Sequence, residues 1–129
     1  MLHRIRRVLT LSCVLSFLAI GVLAQQPLPN SQPVDVTGHW VIEAKNWNGD
    51  LDTKTVDLQQ KGNEISGHFK GPNQSGGLEG SVNGHHIVFH TKTRNVLTFR
   101  GQVEGNTMTG NFGVNGKHGE FHAERTSSN

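Results

Sequence analysis

Two histidines and a glutamate near the C-terminus, His118, Glu120 and His122, have the spacing that places side chains on one face of a β-strand. Imidazole nitrogens and carboxylate oxygens are ligands of Zn²⁺ and Cu²⁺. At about 3.4 Å per residue the two histidines lie about 13–14 Å apart, which is too far for one ion to bind both. A metal site here would therefore need a ligand from another strand. His39 is the candidate if the first and last strands are neighbours. Histidines on an exposed strand face are usually only solvated, so surface metal binding is the alternative interpretation.

A tryptophan in the longest predicted loop, residues 45–52, is the second candidate. Turn geometry does not require a large apolar side chain, so Trp47 is interpreted as an anchor for a ligand or partner, because aromatic residues are enriched at interfaces. The alternative is a lid that covers one end of the domain. The loop lacks the spacing and the bidentate glutamate of a calcium-binding EF-hand.

Catalytic chemistry finds little support in the residue pattern. The one cysteine, Cys13, lies in the apolar N-terminal stretch, and the sequence contains neither a G-x-S-x-G nor an H-E-x-x-H motif. Most acidic residues lie in turns or at polar positions of alternating runs, where a pKa is seldom shifted enough for acid–base catalysis. We therefore expect a protein that is not an enzyme and uses no cofactor.

The first 24 residues have the features of a secretory signal peptide. Arg4, Arg6 and Arg7 precede an apolar stretch over residues 8–23, which Ala24 follows. The stretch has 16 residues, fewer than the roughly 20 that span a bilayer. We expect cleavage after Ala24 and an exported protein, periplasmic or extracellular, with no membrane contact afterwards; a retained anchor is the alternative.

Cleavage removes three of the twelve basic residues and leaves nine against ten acidic residues, a net charge of −1. The formal charge of +2 for the whole chain therefore does not indicate a nucleic-acid partner. Residues 25–37 contain three of the four prolines, which favour extended backbone. They are predicted to be a linker, with the domain at 38–126 and a disordered tail at 127–129.

Pairs of glycine with asparagine recur between runs in which apolar and polar residues alternate. Examples are Gly62-Asn63, Asn83-Gly84, Gly105-Asn106 and Asn115-Gly116. Such pairs supply the positive φ angles of tight hairpin turns, and alternation indicates strands with one buried face. The predicted strands cover residues 38–44, 53–60, 64–70, 77–83, 86–92, 96–104, 107–114 and 117–125.

The predicted fold is all-β: an eight-stranded antiparallel up-and-down meander closed into a small barrel. Strands joined by tight turns pair in sequence order, and closure removes the exposed edges of a sheet that has no helix to cover it. Glycines at the inward positions Gly67, Gly80, Gly101 and Gly110 let the strands coil tightly. A two-sheet β-sandwich is the alternative.

The side chains predicted to point inward are nearly all apolar. An eight-stranded barrel is just wide enough to be filled by side chains or to hold one small ligand, and both possibilities stay open. The inward set is Trp40, Ile42, Val56, Leu58, Ile65, Phe69, Leu78, Val82, Ile87, Phe89, Leu97, Phe99, Val103, Met108, Phe112, Phe121 and Ala123.

Gly38-His39-Trp40 at the start of the first strand and Arg125 in the last one resemble the calycin-type barrels, which include lipocalins, fatty-acid-binding proteins and avidins. The chain is also similar to short glycine-rich modules of exported bacterial proteins. In lipocalins a G-x-W motif opens the first strand and an arginine packs across the tryptophan, so the resemblance implies that Trp40 closes the barrel floor beneath Arg125.

The expected function is therefore that of a non-enzymatic, exported module that binds a small apolar ligand or contacts a partner protein. The resemblance implies a ligand inside or at one end of the barrel, where large side chains would meet it. The candidate ligand-binding residues are Trp40, Trp47, Phe69, Phe89, Phe99, Phe112 and Arg125.

Overall fold

Eight β-strands follow one another along the chain, each antiparallel to the next. The computed structural model describes residues 34–127. The predicted signal peptide, residues 25–33 of the predicted linker and the last two residues lie outside the described range. The strands are β1 (Gly38–Lys45), β2 (Leu51–Lys61), β3 (Glu64–Lys70), β4 (Ser75–Asn83), β5 (His86–Lys92), β6 (Thr98–Glu104), β7 (Thr107–Val114) and β8 (Lys117–Thr126).

The sheet closes on itself because β8 pairs with β1 as well as with β7. Trp40 lies opposite Arg125 across this last seam, and Ile42 lies opposite Ala123. Every strand therefore has a neighbour on both sides and no edge is left unpaired. The predicted barrel is confirmed, and the sandwich alternative is wrong because its two sheets would leave β1 and β8 apart.

Three strands begin two residues from the predicted start, and three strand ends extend one residue beyond the predicted end. β4 begins at Ser75 rather than at residue 77, because Ser75 pairs with Lys70 of β3. β2 begins at Leu51 rather than at residue 53, because Lys45 of β1 continues the pairing to Leu51. β6 begins at Thr98 rather than at residue 96. The backbone of Leu97 instead closes a loop onto Thr91, whose N–H donates to the Leu97 carbonyl over 2.9 Å.

The interior is filled, and every side chain predicted to point inward is at most 5% exposed. Phe99 lies at the centre of an aromatic cluster. Its ring centroid is 4.8 Å from that of Phe89, 5.3 Å from Phe121 and 5.8 Å from Phe112. Rings at such separations pack favourably beyond the area they bury, so the middle of the barrel is a core and not a pocket.

The inward glycines mark the places where the backbones of neighbouring strands approach most closely. Gly101 and Gly110 lie directly opposite each other in β6 and β7. A Cβ atom on Gly110 would lie 2.0 Å from the Arg100 carbonyl oxygen, and one on Gly101 would lie 2.3 Å from that of Thr109. These contacts explain why glycine fits there and a larger residue does not. The role of the pair in tight coiling of the sheet stays a prediction.

The two ends of the barrel differ. One end, here called the closed end, carries the β2–β3, β4–β5 and β6–β7 turns and the segment at residues 34–37. The other, here called the mouth, carries the loops at residues 46–50, 71–74, 93–97 and 115–116. Short turns connect the strands at the closed end, whereas three of the four loops at the mouth are longer.

Candidate ligand-binding site

The predicted ligand-binding residues fall into three separate groups in the structure. Trp40 and Arg125 lie at the closed end, while Phe89 and Phe99 belong to the filled middle. The remaining ones, Trp47, Phe69 and Phe112, line a cavity at the mouth. The sequence could not separate these groups. Alternation of apolar and polar residues shows whether a side chain points inward, but not how far along the barrel it lies.

Trp40 is part of a packed cap on the closed end. Its indole N–H donates to the Val36 carbonyl over 2.9 Å, and the Arg125 guanidinium lies 4.7 Å from the ring centroid. The contact implied by the resemblance is thus present, and it is a cation–π interaction. Trp40 has no exposed surface, so the structure places it in the fold and not against a ligand.

Arg125 ties the last strand to the segment before β1 and to the β6–β7 turn. Its guanidinium donates to the carbonyls of Asp35 (2.8 Å), Thr37 (3.0 Å) and Gly105 (2.9 Å), and its Nε donates to Asn106 Oδ1 (3.1 Å). Next to it, the hydrogen bond from the Thr37 backbone lowers the pKa of the Asp35 carboxyl, with a smaller contribution from the charge of Arg125. The donors of Arg125 are thus used within the chain.

The mouth contains a cavity of about 540 Å³. Phe69, Leu97 and Phe112 form its apolar floor, which is the upper surface of the core. Trp47 and Pro72 add apolar wall on the loops. Most of the remaining lining is polar: asparagine and glutamine side chains and the charged groups of Asp52, Lys54, Arg94 and Lys117. A concave surface with an apolar floor and a few polar groups above it is typical of a small-molecule site.

Contacts between loops hold the rim of the mouth in place. The Gln74 side-chain amide donates to the Asn95 carbonyl over 2.7 Å and accepts from the Asn95 N–H over 3.2 Å. Asn115 in turn donates to the Asn95 side chain over 3.3 Å. These bonds join three of the four mouth loops, so less loop entropy is lost when a ligand binds.

Trp47 forms one wall of the mouth and remains half-exposed, at 52%. The ammonium group of Lys117 lies 4.4 Å from its ring centroid. This cation–π contact connects the β1–β2 loop to the start of β8. Trp47 is therefore held beside the cavity with much of its surface free for a ligand.

A partly buried ion pair between Lys54 and Asp52 lies at the mouth, and neither residue is among the site residues predicted from the sequence. Lys54 is only 6% exposed, Asp52 is 26% exposed, and the Lys54 ammonium lies 5.7 Å from the Phe112 ring centroid. Both residues have the same inward parity in β2 as Val56. This parity is the feature of the sequence that could have identified the pair. It is easily missed, because a charged side chain among apolar ones is usually taken to mark the end of a strand.

Replacing Lys54 by methionine is expected to change the free energy of unfolding by no more than about 1 kcal/mol, because methionine keeps the packing of the side-chain stem and the carboxylate of Asp52, which is 26% exposed, can stay hydrated. Lys54→Ala also removes the packed side-chain stem and should cost about 2 kcal/mol. Urea unfolding followed by circular dichroism measures both. Equal losses in the two variants would mean that the ion pair, and not the stem, stabilises the mouth.

The predicted metal ligands are not brought together. His39 lies opposite Thr126 in β8, whereas His122 lies opposite Glu43 in β1. The approach of His39 to His122 expected from the sequence is thus corrected by the register of the closing seam. No group of three or more histidine, cysteine, aspartate or glutamate side chains among residues 34–127 is arranged to hold a metal ion, including the set with His118 and Glu120.

Three of the outer histidines, His39, His90 and His122, instead lie next to carboxylates. His39 Nδ1 lies 2.5 Å from Asp57 Oδ1. Glu79 lies between His90 (3.2 Å) and Lys92 (2.9 Å). The hydrogen bond and charge of Lys92 lower the pKa of the Glu79 carboxyl, and His90 adds a smaller effect in the same direction. These groups are exposed, so the pairs contribute little to stability.

A second concave surface, of about 620 Å³, lies on the outer wall next to the mouth. Its lining includes Arg94, Arg100 and His118. It is a depression in the outer, polar side of β6–β8, and most of its lining is polar or glycine. The mouth is the better candidate because its floor is formed by the core itself.

No helix in the part of the chain that the structure describes is long and apolar enough to cross a membrane. No protein-family model matches the chain, and a comparison with curated proteins found no match either.

Proposed function

We propose that this chain is a non-enzymatic binding module that takes a small, mainly apolar ligand at the mouth of its barrel. The observation that carries the proposal is the half-exposed Trp47 beside a cavity whose floor is formed by Phe69 and Phe112. A ligand at the open end of a small barrel also agrees with the resemblance to calycin-type barrels. Export of the module, predicted from residues 1–24, belongs to the same proposal.

The filled interior limits how a ligand can bind. Phe99 and its neighbours occupy the middle of the barrel, so a ligand rests on the core and does not enter it. Only one side of such a ligand is buried deeply. We therefore expect weak binding of a compact molecule, because affinity depends on the apolar surface removed from water.

Titration with the fluorescent probe 1-anilinonaphthalene-8-sulfonate, followed by two-dimensional amide NMR, tests the proposal. We expect shifts of the amides in the mouth loops and none at the closed-end turns, such as those of Gly62 and Gly84. Trp47→Ala should weaken binding at least about 5-fold, the effect of losing an aromatic anchor. Leu51→Ala is the matched control, since Leu51 is exposed near the same loop but does not line the cavity.

Absence of shifts at the mouth, or equal effects of Trp47→Ala and Leu51→Ala, would contradict ligand binding there.

One observation favours contact with a partner protein as the second candidate. The large exposed apolar side chains of the described residues, Trp47, Leu51 and Val96, are all in or next to the mouth loops. A partner that packs on this end would use Leu51 and Val96 as well as Trp47, whereas a small ligand would not.

A further inference from the structure

We propose that the ligand of the mouth carries an anionic group, which Arg94 and Lys117 bind at the rim while its apolar part covers the aromatic floor. This inference rests on the proposed function and names its ligand class, a small amphipathic anion. The juxtaposition of two cations without carboxylate partners above an apolar floor is the observation that carries it.

The charges around the mouth are strongly unbalanced. Its lining contains three cationic side chains, Lys54, Arg94 and Lys117, and one carboxylate, that of Asp52. Residues 25–129 as a whole contain nine basic and ten acidic residues. The excess of positive charge at the mouth is therefore a local property of this end and does not follow from the overall charge.

The three cations are not equivalent. Lys54 is buried at the floor and its charge is balanced by Asp52. No ion pair of Arg94 or Lys117 with a carboxylate is found among residues 34–127. Arg94 and Lys117 are also exposed. They are the cations whose charge no carboxylate of the described residues balances, and the contact of Lys117 with the Trp47 ring keeps its ammonium group beside the cavity.

The position of these cations fits an anionic group that stays near water. Arg94 lies in the β5–β6 loop and Lys117 at the start of β8, so they approach the cavity from neighbouring loops at the rim. An anion bound there keeps part of its hydration, which avoids the large cost of burying a charge. The planar guanidinium suits the paired oxygens of a carboxylate, sulfonate or phosphate.

The apolar floor of the mouth determines the chemistry of the part of the ligand that does not carry the charge. Phe69, Leu97 and Phe112 are apolar, and Trp47 offers an aromatic face beside them. A compact aromatic or short aliphatic group would cover this surface while its anionic group reaches the rim. A strongly hydrophilic anion such as inorganic phosphate would leave the floor uncovered, so we expect it to bind far more weakly.

Two probes with the same ring system test the inference. 1-Anilinonaphthalene-8-sulfonate carries a sulfonate, and N-phenyl-1-naphthylamine lacks it. At low ionic strength we expect the anionic probe to bind about 10-fold more tightly than the neutral one, because two cations face the sulfonate. The advantage should shrink at high salt, since the rim is exposed to solvent.

Substitutions that remove single positive charges show which side chains bind the anionic group of the probe. Arg94→Gln and Lys117→Gln should each weaken the anionic probe about 3-fold to 5-fold and leave the neutral probe unchanged. The neutral probe also controls for any movement of Trp47 when Lys117 is replaced. Lys45→Gln removes an exposed charge that does not line the mouth, so it should affect neither probe.

Equal affinities for the two probes would overturn the inference while leaving the proposed function in place. The same holds if Arg94→Gln and Lys117→Gln weaken both probes alike. Failure of both probes to bind at the mouth would instead overturn the proposed function, and this inference with it.

Discussion

Replacement of Gly110 by alanine is expected to lower the free energy of unfolding by about 3 kcal/mol, the upper part of the usual range for overpacking. The new Cβ would lie 2.0 Å from the Arg100 carbonyl oxygen and 2.5 Å from the Gly101 Cα. Both are backbone atoms, so the contact is relieved only if β6 and β7 move apart. Urea unfolding of the purified domain measures the loss.

Gly77→Ala is the matched control for this substitution. Gly77 also lies in a strand, but its nearest neighbours would be 3.7 Å and 3.8 Å from the added Cβ, an ordinary van der Waals separation. We expect a change within about 1 kcal/mol, in the stabilising direction because alanine restricts the unfolded chain. Similar losses at both positions would show that close strand approach is not what requires glycine at position 110.

Arg125→Ala is expected to destabilise the domain by about 3 kcal/mol, since it removes charge-assisted hydrogen bonds and the cation–π contact with Trp40. The guanidinium joins the segment before β1 to the β6–β7 turn. In a Trp47→Phe background, Trp40 is the one tryptophan left. Its emission should therefore shift to longer wavelength as the closed end loosens.

Arg100→Ala provides the comparison, because Arg100 is exposed on the outer wall and has no ion pair among the residues that the structure describes. It should leave both the stability and the Trp40 emission unchanged. Arg125→Lys keeps the charge but loses the forked donors, so an intermediate loss is expected. If Arg125→Ala were as harmless as Arg100→Ala, the cap on the closed end would not depend on this side chain.

The fold could be predicted closely because its signals are local. Alternation along each run assigned the inward side chains, and glycine–asparagine pairs such as Asn83-Gly84 located the turns. The same alternation extends to Asp52 and Lys54 at the start of β2, but charged side chains do not look like inward residues. A charged side chain can point inward when it forms an ion pair, but the pair can be recognised only once the structure shows which groups surround it.

The site was less predictable, because it depends on contacts between loops far apart in the chain. Trp47 was recognised as unusual, but its exposure depends on where Lys117 and the other mouth loops lie. Phe69 and Phe99 look alike in the sequence, yet one forms the floor of the mouth and the other fills the core. Their heights along the barrel follow from the register of the whole sheet.

The class of fold, the order of the strands and the set of inward side chains can be read from the amino-acid sequence, since all three follow from the two-residue period and from turn chemistry. The register of the seam between β1 and β8, which separates His39 from His122, depends instead on how the whole sheet closes. The same tertiary contacts set which aromatic residues face solvent and which cations at the mouth have a carboxylate partner. These properties depend on closure, which brings together residues that no local pattern relates.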